Sequence, residues 1–213
     1  MIYYDHPQGS QEWLDARKGV ITASRFKDAR SRLKGGAPDK KCIGYAQDVA
    51  RERVGGKAGE VYVNAAMRFG SEQEAFARIA YEAETGYLVN EVGFYTTDDR
   101  LFGVSVDGLI DDDGILEVKT MVSSDTLFTA FSGDISAYTD QILGAMWLTG
   151  RKWCDLVLWA PDLERIGRHL TIVRITRGEE KIQALEDDLL LFAAMVSANE
   201  TILRGPDPRI GCI

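Results

Sequence analysis

The stretch Phe102-Gly103-Val104-Ser105-Val106-Asp107-Gly108-Leu109-Ile110-Asp111-Asp112-Asp113-Gly114-Ile115-Leu116-Glu117-Val118-Lys119 decides the reading of this chain. Phe102, Val104 and Val106 alternate with Gly103, Ser105 and Asp107, a period of two that predicts a strand. Asp111-Asp112-Asp113-Gly114 has turn composition, and Ile115 to Lys119 returns as a second strand, so the segment reads as a β-hairpin. Residues two apart on a strand share a face. Glu117 and Lys119 therefore point together, while Leu116 and Val118 point into the core. Asp107, at a strand end before Gly108, would face Glu117 across the hairpin, and the glycine would let the chain pass close to a bound ligand.

Two carboxylates held that close repel unless a cation separates them. Magnesium takes hard oxygen ligands and keeps waters beside one or two carboxylates. Asp107, Glu117 and the backbone carbonyl of Val118 form such a set, with Lys119 beside it to orient a water or neutralise a phosphate. The lysine would act as a base only if its pKa were lowered. A third acid is expected from the helix upstream, where Glu74 and Glu72 compete, and Glu74 might instead pair with Arg78 one turn on. The spacing alone also fits an exposed ion pair on a surface strand.

Outward from the hairpin, Ser10 to Arg17 reads as a short helix capped by Ser10, and Thr22 or Ser24 opens another through Lys27. Lys34 to Lys40 reads as a loop. Ile43 to Arg53 is helical by period, with Ile43, Ala46, Val49 and Ala50 inward. A longer helix is expected from Asn64 to Thr85, burying Met67, Phe69, Phe76, Ile79, Ala80 and Ala83. Strands follow at Tyr87–Val89 and Val92–Tyr95. Beyond the hairpin come a helix over Ser136–Leu148, strands at Leu156–Ala160 and His169–Ile175, and a long helix over Glu179–Leu203, before an irregular tail at Gly205–Pro208. This order predicts one α/β domain spanning 1–213, a mixed sheet flanked by helices.

The 213 residues suffice for a sizeable core, and Cys42, Cys154 and Cys212 lie too far apart in sequence for a disulfide framework or clustered metal site, as in a reducing cytosol. The opening residues lack the pattern of a secretory signal, and no run of apolar residues is long enough for a membrane span. Net charge is -8, which argues mildly against nucleic acid. Residues 1–60, a helical part of the same domain, nevertheless carry 12 Lys and Arg against 8 Asp and Glu. A polyanion would be met there, around Arg17, Lys18, Arg25, Lys27, Arg30 and Arg32. The four tryptophans, Trp13, Trp147, Trp153 and Trp159, read as core or interface residues.

Several separated segments also resemble one family in the same order. Trp13-Leu14-Asp15-Ala16-Arg17-Lys18-Gly19-Val20-Ile21-Thr22-Ala23-Ser24, Gly70-Ser71-Glu72-Gln73-Glu74, Ser105-Val106-Asp107-Gly108, Leu116-Glu117-Val118-Lys119 and Tyr138-Thr139-Asp140-Gln141 are similar to the phage-type exonucleases of the lambda exonuclease and YqaJ group, within the PD-(D/E)XK nuclease superfamily. Val106 stands where that family often has proline. The resemblance implies a restriction-endonuclease-like core and selects Glu74 over Glu72. It implies metal at Glu74, Asp107, Glu117 and Val118, catalysis by Lys119, Glu117, Asp107 and Gln141, and DNA-phosphate contacts from Arg17, Ser24 and Tyr138. It further implies Mg²⁺, with Mn²⁺ able to substitute, acting on linear double-stranded DNA with 5′-phosphorylated ends. Digestion would run 5′ to 3′ and leave 3′ single strands. A homotrimeric ring, a single-strand annealing recombinase partner and a phage or prophage protein in bacterial cytoplasm complete the expectation. An endonuclease of the same superfamily and a catalytically silent recombination scaffold are the alternatives.

Overall fold

The computed structural model describes residues 1–57 and 65–206. Its strands are β1 (Ile2–Tyr4), β2 (Ile21–Thr22), β3 (Val89–Asn90), β4 (Phe94–Thr96), β5 (Phe102–Val104), β6 (Gly108–Ile110), β7 (Gly114–Thr120), β8 (Trp153–Trp159) and β9 (Leu170–Thr176). Its helices are α1 (Gln11–Arg17), α2 (Phe26–Ala29), α3 (Lys40–Arg53), α4 (Ala65–Thr85), α5 (Ser124–Phe131), α6 (Ser136–Thr149) and α7 (Glu179–Leu203). Asn64, the expected start of α4, Asp207 and Pro208 of the tail, and Cys212 lie outside the described residues, as does the side chain of Met67.

The strands form two sheets rather than one. A five-stranded mixed sheet runs β3-β6-β7-β8-β9, and a four-stranded sheet runs β1-β4-β5-β2. The hairpin that forms is β6–β7, antiparallel with Gly108 opposite Leu116 and Ile110 opposite Gly114; Phe102–Val104, expected within its first arm, is instead β5 of the smaller sheet, and residues 105–107 link the two sheets. Asp111 takes a positive φ of 43° in its turn, a conformation that aspartate tolerates better than most residues. The β7–β8 pair is parallel, which requires a crossover, and α5 and α6 supply it.

Both faces of the larger sheet are covered. On one, Ile115, Leu156 and Leu158 join Phe26, Ala46, Ile142, Met146, Leu185 and Phe192, and Tyr45 of α3 stacks on Phe192 of α7 at 5.1 Å between ring centroids. On the other, Leu116, Val118 and Val157 pack against Ala77 and Tyr81 of α4. This corrects the expected face of α4. Phe69, Phe76 and Ile79 are 39%, 59% and 62% exposed, and Ala83 is exposed, whereas Ala77 and Tyr81 are fully buried. The small Ala77 lets the helix approach the sheet, and the Tyr81 hydroxyl donates to Asp155 at 2.7 Å, itself clamped by Arg174. That buried polar anchor outweighs the larger apolar side chains in orienting the helix.

α3 also differs from expectation, in its start and in its inward face. α3 begins at Lys40, because Asp39 accepts from the backbone N–H groups of Lys41 and Cys42 as an N-cap. Its inward face uses Cys42 and Tyr45, leaving Ile43 exposed. The Ser10 cap of α1 is as expected, accepting from the Trp13 N–H. Cys42 and Cys154 are buried free thiols. Among the described residues no helix is long and apolar enough to cross a membrane.

Candidate active site

The site forms where the chain passes from the smaller sheet to the larger. Residues 105–107 link β5 to β6 and belong to neither strand. Asp107 leads into β6, and its Oδ2 accepts from the Val118 N–H at 2.6 Å, so the carboxylate is tied to β7. Glu117, on β7, is buried, and its Oε1 lies 2.7 Å from Lys119 Nζ and also accepts from Gln141 Nε2 of α6. Glu74 projects from α4. Together Glu74, Asp107, Glu117, Val118, Lys119 and Gln141 line one pocket of about 450 Å³. Trp13, Arg17, Ser24 and Ser105 line it as well.

The electrostatics are those of acids forced together out of water. Burial pushes the Glu117 carboxyl up to about 7, with Asp107 and Glu74 reinforcing the shift and Lys119 opposing it. Burial and then Asp107 push Glu74 to about 7. Asp107 is also raised by burial, against the pull of Lys119 and the Val118 N–H. For Lys119, burial favours the neutral amine, yet the negative charges of Glu117 and Asp107 prevail and its pKa rises. Lys119 is therefore an ammonium, and the condition for a base role, a lowered pKa, does not hold. The alternative partner of Glu74 is excluded too. Arg78 pairs with Glu91, although its charge still steadies Glu74 and Asp107.

The donor set fits a hard divalent cation of the kind that keeps much of its water. Asp107 and Glu117 offer carboxylate oxygens and Val118 a carbonyl, and both carboxyl pKa values are raised chiefly by burial, a penalty on the charged form that a cation would relieve. Among the described residues no three acidic, histidine or cysteine side chains are gathered as a ready-made cage. The fit is to two carboxylates, a carbonyl and waters, with Glu74 at the rim.

Arg17 lines the same pocket. Its guanidinium stands 4.2 Å from the Trp13 ring centre and 5.2 Å from that of Phe94, and Nη1 donates to Ser105 Oγ at 3.1 Å. Burial lowers its pKa to about 10, so it stays charged at neutral pH. Other members of the basic amino-terminal cluster are spent internally: Arg30 on Asp140 and Asp188, Arg25 on Asp28 and Asp48, Lys18 on Asp15. Arg17 makes no such ion pair among the described residues and keeps its charge for a ligand.

Ser24 lines the pocket, 3.4 Å from Thr22 Oγ1. Tyr138 sits behind the site, its ring centre 5.9 Å from Lys119 Nζ, and packs against the core. Its hydroxyl shows no hydrogen bond among the described residues. Sequence reasoning missed Gln8, Trp13 and Ser105 as parts of this site. Trp13 packs on the cluster of Ala16, Val20 and Phe94, as expected of a core residue, and it also stacks on Arg17 and donates to Ser105 Oγ at 3.0 Å.

With this geometry in view, comparison with known proteins is decisive. The profile of the YqaJ-like viral recombinase domain matches residues 12–152. The chain belongs to this YqaJ-like family. Among solved structures it is similar to an alkaline exonuclease, LHK-Exo, from Laribacter hongkongensis, at 32% identity and a TM-score of 0.81, covering 92% of this chain and 96% of that one. The same enzyme in complex with dAMP matches equally, at 32% identity and a TM-score of 0.81 with the same coverage, 92% and 96%. A phage related exonuclease from Haemophilus somnus shares the fold at 18% identity and a TM-score of 0.64, over 86% of this chain and 94% of its own. No curated protein matches the chain. The YqaJ-like match spans Arg17, Glu74, Asp107, Glu117, Lys119 and Gln141, all six of which lie within 12–152.

Proposed function

We propose that this YqaJ-like protein is a Mg²⁺-dependent exonuclease that hydrolyses linear duplex DNA from 5′-phosphorylated ends. The observation that carries it is one pocket lined by Asp107, Glu117 and Lys119 together with Arg17, which is stacked and has no ion-pair partner among the described residues. The likeness to an alkaline exonuclease supports the reaction class. The dAMP bound by that relative is of the product class that such cleavage would release.

Arg17 would take the terminal phosphate, for which a planar guanidinium supplies paired donors. Ser24 offers a hydroxyl in the same pocket, and Tyr138 would act from behind the site. Glu74, Asp107, Glu117 and the Val118 carbonyl would hold Mg²⁺ or Mn²⁺, which when bound lowers the pKa of water and stabilises charge on phosphoryl oxygens. Gln141 and Lys119, both on Glu117, would orient the attacking water, and the ammonium would offset charge on the phosphoryl group. Water oxygen bonds to phosphorus, the bond to the 3′-oxygen of the terminal nucleotide breaks, and that oxygen takes a proton. The shortened strand then carries a new 5′-phosphate, again the group that Arg17 recognises.

Assembly as a ring of three, delivery of the 3′ strand to an annealing recombinase and a phage or prophage setting belong to the same proposal. A ring would place the pocket on an inner wall, where local charge matters more than the net -8.

The test is a linear duplex labelled separately at each end, with or without 5′-phosphate, in Mg²⁺ or EDTA. Metal-dependent release of label from 5′-phosphorylated ends supports the proposal. Cutting of a covalently closed plasmid at a comparable rate would favour an endonuclease, and no cleavage at all would leave a DNA-binding scaffold.

A further inference from the structure

We propose that Gln8 is a positioning residue of this site, holding the segment that carries Asp107 at the height from which its carboxylate reaches the cation. The inference rests on the metal-dependent nuclease reading above. Gln8 lies between β1 and α1 and lines the same pocket as Asp107 and Glu117. Its Nε2 donates to the Val106 carbonyl at 2.8 Å and to the Val92 carbonyl at 3.2 Å.

Those two bonds use both N–H groups of the amide. They also fix its orientation, because a flipped amide would set Oε1 against two carbonyl oxygens. The Val106 carbonyl belongs to the peptide whose nitrogen is that of Asp107. Moving it turns the bond from which the Asp107 side chain projects.

Among the described residues the segment 105–107 pairs with no strand; Val106 is buried in the core, and the hydrogen bonds that hold the segment are made by or to side chains. Ser105 Oγ accepts from Trp13 and Arg17, the Val106 carbonyl from Gln8, and Asp107 Oδ2 from the Val118 N–H. The first two anchors come from residues 8–17. The same residues thus carry Arg17 and fix the segment that leads to Asp107.

Gln8 is well placed to transmit this restraint. The Ser10 N–H bonds back to the Pro7 carbonyl at 3.0 Å, Gly9 takes a φ of +86°, and Ser10 caps α1. The turn around Gln8 is therefore tied to β1 on one side and to α1 on the other. Glutamate at this position would turn an anion toward two carbonyl oxygens, so Gln8→Glu should be worse than Gln8→Ala, which only removes the donors.

The experiment follows Mn²⁺ binding to DNA-free protein by the EPR signal of the free ion, with thermal unfolding measured in parallel. Outer-shell partners of metal ligands typically contribute about 10–100-fold in metal affinity or activity. Gln8→Ala is expected to weaken Mn²⁺ binding about tenfold, Gln8→Glu further, and cleavage by Gln8→Ala should recover as Mn²⁺ is raised. A Gln8→Ala protein that is less heat-stable yet binds Mn²⁺ like wild type would reduce Gln8 to a fold strap and overturn the proposal. If Gln8→Glu does not fold, Gln8→Ala carries the test alone. Wild-type protein that binds no Mn²⁺ would overturn the metal-site reading itself, a result distinct from equal binding by wild type and variant.

Discussion

Lys119 Nζ lies 2.7 Å from Glu117 Oε1, on the same face of β7 and two residues further along the strand. The carboxylate is buried, while the lysine keeps partial access to the pocket. Acids surround it and raise its pKa, so the metal-free protein favours the ammonium, and the role proposed for it is electrostatic. Lys119→Ala is expected to lower single-turnover cleavage about 10²–10³-fold, the usual cost of losing one such charge-stabilising donor. DNA binding without metal should change little. Parallel loss of binding and cleavage in a filter-binding and rapid-quench comparison would contradict this role.

The raised carboxyl pKa values make stability depend on pH in an uncommon direction. Glu117 and Glu74 are lifted from 4.5 to about 7 in the folded, metal-free protein. The folded state therefore holds protons that the unfolded chain releases, and their stabilising contribution is full below about 4.5 and lost as pH rises through about 7. Metal-free protein is expected to melt at a lower temperature at pH 8 than at pH 6. Glu117→Gln should flatten that dependence, since a neutral amide has no proton to lose. Mg²⁺ should restore wild-type stability at pH 8 but not that of Glu117→Gln to the same extent. Calorimetry across this range in EDTA and in Mg²⁺ reads both.

Arg17 gives the third prediction. It stacks on Trp13 and donates to Ser105 without a carboxylate to satisfy it among the described residues. A hydrogen bond to a charged group contributes about 1.5–3 kcal/mol, so Arg17→Ala should lose about 10–100-fold of any preference for 5′-phosphate over 5′-hydroxyl ends. Arg17→Lys should recover only part, because an ammonium neither forks onto phosphate nor stacks as a plane. Full preference in Arg17→Ala, measured as the ratio of initial rates on the two ends, would place the phosphate elsewhere.

How far the site was legible from the sequence follows from which interactions are local. The Asp111–Gly114 turn and the strand carrying Glu117 and Lys119 are encoded locally, whereas the alternation of Phe102, Val104 and Val106 runs through β5 and the link to β6, so it marks the approach to Asp107 rather than the hairpin arm Gly108–Ile110. The Ser10 cap and the span of α7 are local for the same reason. α4 was recognised as a helix, but its period could not say which side meets the sheet. Tyr81 chooses that side through Asp155, seventy-four residues away. Gln8 carries no signal because its bonds span 84 and 98 residues, and Trp13 and Ser105, whose mutual bond spans 92, enter only through the family resemblance of their segments. β1 and β2, of three and two residues, are too short for a period to register.

Gly108 is packed closely against the neighbouring strand: a Cβ there would meet Val89 Cγ1 at 2.0 Å, across the β3–β6 pairing. The strands cannot separate freely, because β6 also pairs with β7. Gly108→Ala should therefore cost about 1–3 kcal/mol of stability, the range for overpacking a buried site. It should also weaken Mn²⁺ binding, since Gly108 follows Asp107 directly and any shift of β6 moves that carboxylate. Val89→Ala removes the opposing methyl groups. The double variant is thus expected to regain a substantial part of both losses, giving a favourable coupling in a double-mutant cycle of the size seen for residues in contact, about 0.5–3 kcal/mol. Strict additivity of the two substitutions in denaturant unfolding would show that the two positions do not clash and that the need for glycine at 108 lies elsewhere.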